Sequence, residues 1–347
     1  MVKIIDEKAP AGFERLVYAE DEASGLKAFI AIHSTALGPA AGGCRMWNYA
    51  TEDEARADAL RLARGMTYKN AMADLALGGG KSVIWGDAKT DKSPALFHAF
   101  GKAVDSLAGQ YYTAEDVGIS TEDMALVAEV TPYAVGLSGK SGDPSPFTAE
   151  GVFQCLKVGA AQVFGSDDLT GRSVSVQGLG HVGMSLAEKL HAAGAKLIVS
   201  DIRQDALDHA VSAFGATVCA PEEAASQDVD IYAPCALGGA LNEATVPALK
   251  AKLVCGAANN QLATPEMADA LRARGILYCP DYVVNSGGII SVAGEIHGRG
   301  ENFRNERLSG VAERMRVLLK RAQAEDRTTT SIANEMVETM IAEKRVA

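Results

Sequence analysis

The feature that most constrains the fold is a short apolar run, Val174–Gln177. It leads directly into Gly178-Leu179-Gly180-His181-Val182-Gly183 and then into a helical pattern at Met184–Ala193. Strand, G-x-G-x-x-G turn and helix in that order form the first unit of a dinucleotide-binding sheet. The first glycine makes the turn, and the second lets backbone N–H groups reach a pyrophosphate. The third permits close helix–strand packing, and the helix N-terminus supplies partial positive charge. A second strand, Leu197–Ser200, ends at Asp201, 21 residues past Gly180. That is close to the interval expected of an acid that binds ribose hydroxyls. A carboxylate there repels a 2′-phosphate, so NAD is expected rather than NADP, with Arg203 able to soften the preference.

Around this unit the pattern alternates between helix and short buried strand. Ala149–Phe164 reads as helix, and further strands are expected near Asp230–Ala233, Leu253–Gly256 and Ile276–Tyr278. Such alternation predicts a parallel sheet with helices on both faces. The first part of the chain reads differently, as mixed α/β. Leu26–Ile32 is an expected strand, Gly38–Gly43 a glycine-rich loop, Glu52–Met66 an amphipathic helix and Ser82–Trp85 a strand after a glycine run. Pro94–Leu107 and Glu122–Val130 are expected helices, Ser138–Phe147 a hinge or linker, and Arg304–Ala347 long charged helix. A length of 347 residues suits two such domains.

Composition narrows the partners. A net charge of −11 argues against nucleic acid and anionic membranes. The start MVKIIDEKAP reads as no secretory signal, and no apolar run approaches a membrane span. Six scattered cysteines, without a C-x-x-C pair, point to reduced thiols in a cytoplasmic protein. The histidines show no metal-ligand spacing, so no metal is expected.

Gly78-Gly79-Gly80-Lys81-Ser82 invites comparison with a P-loop. The earlier glycine of that pattern is replaced by Leu75, and the residues after the lysine read as strand rather than helix. What remains is a lysine on a backbone stripped of side chains, with Lys69 placed 12 residues upstream, after the expected helix. If both ammonium groups faced one cavity, burial and like charge would favour the neutral amine and a general base. Two ordinary surface lysines remain the commoner reading of such a pair. Asp116, among small residues after an expected strand, suits a proton shuttle, although such a residue is more often a cap or turn.

Taken in order, these segments resemble the glutamate/leucine/phenylalanine/valine dehydrogenases, most closely the leucine branch. The matching stretches are GLKAFIAIHSTALGPAAGGCRMW (25–47), RLARGMTYKNAMADLALGGGKSVI (61–84), YYTAEDVG (111–118), VQGLGHVG (176–183), YAPCALGGALN (232–242), GAANNQL (256–262) and YVVNSGGII (282–290). The resemblance implies that Lys69 binds the substrate carboxylate with backbone around Gly42, Gly43 and Met66. It makes Lys81 the activator of water and Asp116 the proton shuttle. Thr148, Ala236, Asn259 and Asn260 would orient the nicotinamide and its ribose. Residues 1–147 would form the substrate and oligomerisation domain and 148–325 a doubly wound, Rossmann-type NAD domain. The helix at 326–347 would return to the first, and a homo-oligomer would act on small amino acids, 2-oxo acids and ammonia.

Substrate choice rests on few positions. Glutamate enzymes of the family carry a lysine where this chain has Ala41, so glutamate is disfavoured. Leucine enzymes usually have leucine there and phenylalanine enzymes alanine, whereas Ala114, Ile289 and Val292 agree with the leucine branch. Branched-chain aliphatic substrates are expected, with phenylalanine or another bulky apolar amino acid as the alternative. A catalytically silent NAD-binding protein is a third reading, but Lys81 and Asp116 are both retained. Ser286 and Phe147 depart from the family pattern without an explanation in the sequence.

Overall fold

The computed structural model describes residues 1–137 and 143–346, with side chains to 345. By contacts the chain divides into two compact units. One is Met1–Gly142 with Ile289–Arg304 and Val337–Ala347, and the other is Asp143–Gly288 with Asn305–Met336. Residues 289–304, which the sequence reading put in the dinucleotide domain, thus group with the first unit. Of the expected hinge Ser138–Phe147, residues 138–142 lie outside the described residues and 145–147 already belong to a helix.

The first unit is built on a mixed six-stranded sheet. Its strands are β1 (Lys3–Glu7), β2 (Arg15–Asp21), β3 (Leu26–Ser34), β4 (Ala40–Trp47), β5 (Gly78–Trp85) and β6 (Tyr111–Glu115), ordered β1-β2-β3-β5-β4-β6. The pairs β1–β2, β2–β3 and β3–β5 are antiparallel, while β4 lies parallel to both β5 and β6. Three helices cover it: α1 (Glu52–Met72), α2 (Pro94–Asp105) and α3 (Thr121–Ala128). Alternation gives the sheet two apolar faces. Ile30, Met46, Ile84 and Tyr111 pack with Phe97 and Phe100 of α2 and Met124 of α3. Leu16, Phe29, Ala31 and Val83 pack with Ala55, Ala59 and Ala63 of α1. Burying each large side chain of this kind stabilises the fold by about 1.5–3 kcal/mol.

Two sequence expectations need correction here. The glycine-rich segment Gly38–Gly43 is not a loop throughout, because Ala40–Trp47 is strand. The run Gly78–Gly80 does not precede a strand but begins one. Glycine discourages strand in isolation, yet here tertiary packing demands it. A Cβ on Gly79 would lie 2.1 Å from both the N and Oγ1 of Thr67, so α1 can rest on β5 only where no side chain intervenes. That contact also explains why α1 runs on to Met72 rather than stopping at Met66, which puts Lys69 in its last turn. Thr51 caps the other end by accepting from the Glu54 N–H, with three acids in the first turn, as the helix dipole favours.

The second unit carries six parallel strands, β7 (Ser173–Gln177), β8 (Lys196–Ser200), β9 (Thr217–Val218), β10 (Ile231–Pro234), β11 (Leu253–Val254) and β12 (Leu277–Tyr278). Their order is β12-β11-β10-β7-β8-β9. The sheet is therefore wound outward in two halves from β7, the Rossmann arrangement, and ligands bind such sheets beyond the strand ends where the order reverses. Helices α4 (Ser145–Phe164), α5 (His181–Ala192) and α6 (Gln204–Phe214) follow in chain order. The tail is two helices, Glu301–Ala324 and Thr329–Val346, rather than one. Among the described residues no helix is long and apolar enough to cross a membrane.

The tight glycine contact gives a paired test. Gly79→Ala should lower the melting temperature sharply, because overpacking of this sort costs about 1–3 kcal/mol or more. Gly65→Ala, in the same helix system but with nothing within 4 Å of the added Cβ, should raise it, by about 0.5–1 kcal/mol of helix propensity. Equal effects in thermal melts would show that propensity and not contact decides.

Candidate active site

The site in the first unit begins with the register of three strands. Ala41 pairs with Gly79 and Cys44 with Ser82, which sets Lys81 level with Gly43, and Gly43 pairs in turn with Ala114 of β6. Ala41, Gly43 and Arg45 of β4, Lys81 of β5 and Ala114 of β6 consequently share the face on which α1 packs. Most of these positions are small, and the opening they leave is filled by Lys81, 5% exposed. Its ammonium meets Asp116 Oδ2 at 2.9 Å.

Asp116 follows directly on β6, and its approach depends on Gly43. A Cβ there would stand 2.4 Å from Glu115 O and 2.9 Å from Asp116 Cβ. Gly42 is equally constrained, since its Cβ would lie 2.0 Å from Gly80 O and 2.9 Å from Met66 Cγ. Beneath it the Tyr111 hydroxyl donates to Gly42 O at 2.7 Å and lies 3.0 Å from Ser82 Oγ. Asn70, buried in α1, donates to Ala41 O at 3.3 Å and Gly78 O at 2.6 Å. Lys69, its neighbour, is half-buried in the same turn.

Lys81 faces a carboxylate, Asp116, that the two-lysine expectation did not include. Burial alone would push the Asp116 carboxyl up, but Lys81 and Arg45 together hold it below the usual range. Arg45 Nε lies 3.0 Å from the same Oδ2, and its Nη1 lies 3.1 Å from Asp58 Oδ2 on α1. The Tyr49 hydroxyl donates to that oxygen of Asp58 at 2.6 Å. Arg45, Asp58, Tyr49 and Tyr111 were all missed by sequence reasoning. Arg45 would have been found had Ala40–Trp47 been read as a strand, because it falls two residues after Gly43 on the same face.

Gly136 stands near both Ala114 and Val292, its Cβ position being 3.6 Å from Ala114 Cβ and 3.8 Å from Val292 Cγ2. Its N–H donates to Glu295 Oε2 at 2.9 Å. Ile289 lies one helical turn from Val292 on Gly287–Ile296. Ala41 is fully buried on β4.

In the second unit the Gly178–Gly183 turn has the shape that a dinucleotide requires. Gly178 adopts φ +97°, with its Cβ position only 2.8 Å from Ala236, and a Cβ on Gly183 would meet Gly178 O at 2.0 Å. Gly180 faces open space, so a phosphate can approach its backbone. α5 starts at His181, followed by Val182, without a side-chain cap on its N-terminus. Asp201, at the end of β8, accepts from Leu179 N–H at 2.6 Å and Arg203 N–H at 2.8 Å. These backbone donors outweigh its desolvation and hold its carboxyl low. The Arg203 guanidinium donates to Leu179 O at 2.8 Å.

Ala236 follows β10, and Asn259 and Asn260 follow β11, at the carboxyl ends of the strands. Asn259 Oδ1 accepts from Asn285 at 2.8 Å, and Asn260, at φ +52°, donates its N–H to Asp281. Thr148 is in the first turn of α4, its hydroxyl on Pro144 O at 3.1 Å. Of the two departures, Ser286 is buried and donates to Val283 O. Nothing in the structure explains Phe147.

One unit thus carries a glycine turn between a parallel strand and a helix, and the other a buried lysine paired with a half-buried aspartate. Residues 14–133 match the model of the Glu/Leu/Phe/Val dehydrogenase dimerisation domain, and residues 199–336 that of the Glutamate/Leucine/Phenylalanine/Valine dehydrogenase domain. The chain is 48% identical to leucine dehydrogenase of Bacillus subtilis, over 96% of its own length and 92% of the relative's. It is 47% identical to valine dehydrogenase of Streptomyces coelicolor, over 96% and 93%. The crystal structure of L-tryptophan dehydrogenase from Nostoc punctiforme superimposes with a TM-score of 0.87 at 40% identity, covering 97% of this chain and 98% of that one. The chain belongs to this family of amino-acid dehydrogenases, which implies a nicotinamide cofactor.

The Lys81–Asp116 pair also bears on stability. A carboxyl held low in the folded state contributes stability that is present above its unfolded value, about 3.9, and is lost as pH falls through the folded one. Asp116→Asn should therefore melt well below wild type at pH 7, with the gap narrowing as pH drops below about 4. A gap independent of pH would mean that the ion pair contributes nothing.

Proposed function

We propose that this chain catalyses the reversible, NAD-dependent oxidative deamination of branched-chain aliphatic L-amino acids to 2-oxo acids and ammonia. The observation that carries the reading is the buried Lys81–Asp116 pair at 2.9 Å, set in a face cleared by glycine and alanine. Lys69, with backbone at Gly42, Gly43 and Met66, binds the substrate carboxylate. Asp116 takes a proton from the substrate ammonium, which frees the amine for oxidation. Bound nicotinamide supplies the hydride acceptor, with Thr148, Ala236, Asn259 and Asn260 orienting it. Lys81 takes the proton of the water that attacks the resulting iminium carbon, and Asp116 returns its proton to the departing ammonia.

Substrate class is inferred from the four apolar positions that the resemblance singled out. Ala41, Ala114, Ile289 and Val292 offer no cation to a distal carboxylate, and stranding one there would cost several kcal/mol, on the order of the buried-charge penalty. Relatives named for leucine and valine support aliphatic substrates. The small Ala41 and the similarity to a tryptophan dehydrogenase support an aromatic alternative. Self-association is inferred from the match of residues 14–133 to a dimerisation domain, and a cytoplasmic location suits reduced thiols.

A rate survey decides the substrate. Leucine, valine and isoleucine should give kcat/KM values above those of phenylalanine and tryptophan, by about 10- to 200-fold for a difference in pocket fit. The reverse order assigns the chain to aromatic substrates. Lys81→Ala should lower kcat by orders of magnitude with NAD binding intact, and near-normal turnover would remove Lys81 from the chemistry.

Cofactor choice is tested separately. Asp201→Ala should weaken NAD and relatively favour NADP, because the ribose acceptor and the repulsion of a 2′-phosphate vanish together. An unchanged NAD/NADP ratio in the steady state would show that another residue sets the preference.

A further inference from the structure

We propose that Arg45 is a positioning residue for Asp116. By bridging it to Asp58, Arg45 locks the carboxylate so that Oδ1 alone is presented for proton exchange with the substrate amine. This rests on the reading of Asp116 as the proton shuttle.

The geometry is specific. Asp116 Oδ2 takes both cations, Lys81 at 2.9 Å and Arg45 Nε at 3.0 Å. The two ammonium-type groups come from adjacent strands, β5 and β4, so that oxygen is fixed from two directions. A guanidinium on one carboxylate could still rotate about its own stem. Arg45 cannot, because Nη1 is held at 3.1 Å by Asp58 Oδ2. Asp58 is itself fixed, by the Tyr49 hydroxyl at 2.6 Å and by Arg61 on Oδ1 at 2.5 Å. The planar fork of arginine makes this double attachment possible, and a lysine would reach only one carboxylate.

Charge points the same way. The groups facing Asp116 are Lys81 from β5 and Arg45 from β4, with Asp58 and Tyr49 behind Arg45 and the buried Cys44 thiol below. Removing the positive charge of Arg45 favours the protonated form of whatever titrates there, since a neighbouring arginine typically lowers a carboxyl by about 1–3 pH units. A mutant lacking it must be taken to higher pH before the site is ready to accept a proton.

The test is the pH profile of kcat/KM for L-leucine deamination in Arg45→Gln and Arg45→Lys, with Asp116→Asn as reference. Arg45→Gln should move the acidic limb alkaline by about one pH unit and lower kcat tenfold or more. Arg45→Lys should return the limb close to wild type while kcat stays several-fold down, because charge is restored but the bridge is not. A purely structural role would lower the melting temperature and the active fraction yet leave the limb in place. An unmoved limb in Arg45→Gln, or wild-type kcat in Arg45→Lys, overturns the proposal. Should Arg45→Gln fail to fold, the kcat of Arg45→Lys decides. If Asp116→Asn keeps full turnover, it is the shuttle reading that fails instead.

Discussion

The active face depends on backbone approaching backbone where side chains would ordinarily stand. Gly42 and Gly43 on β4 and Gly79 and Gly80 on β5 remove the atoms that would hold α1, β6 and the Asp116 turn apart. With those atoms gone, Lys81 of β5 reaches across β4 to meet Asp116, just past the end of β6. Here glycine sets the distance between Lys81 and Asp116. The strand thus accepts poor local propensity in exchange for a geometry that no larger residue permits.

A second consequence is that the charges in the site form a chain rather than a pair. Lys81 and Arg45 share one oxygen of Asp116, and Asp58 balances Arg45 from α1. Three cations, Lys81, Arg45 and Arg61, meet the two carboxylates, so neither acid of the half-buried cluster is left uncompensated, which limits the desolvation cost. An uncompensated charge at this depth would neutralise itself by gaining or losing a proton.

The second unit solves a different problem with the same residue type. Gly178 turns tightly against Ala236, Gly183 lets α5 sit on the strand, and Gly180 leaves its backbone open. Asp201 is anchored by two backbone N–H groups before any ligand arrives. A carboxylate fixed in this way loses little further freedom on accepting another hydrogen bond.

Local pattern carried much of this. The G-x-G-x-x-G turn, the strand before it, the helix after it and Asp201 were all legible because each depends on neighbours in sequence. Helices such as Glu52–Met72 and Pro94–Asp105 were legible apart from their ends, whereas Gln204–Phe214 and Gly287–Ile296 were not, and the resemblance carried by the ordered motifs singled out Lys69, Lys81 and Asp116. Propensity misled where tertiary contact overruled it. Residues 40–43 and 78–80 read as glycine loop and glycine run but are strands, since what stabilises them is their fit between β6, β3 and α1. The partner of Lys81 was also hidden, because Asp116 is 35 positions away in sequence and reaches it only through strand register. Arg45 was hidden twice over, by the missed strand and by partners on two other elements. The sequence by itself determined which chemistry-bearing residues the chain owns and how its dinucleotide turn folds. Only the tertiary structure decided which charges face one another, because that is set by strand order and by backbone approach between distant segments.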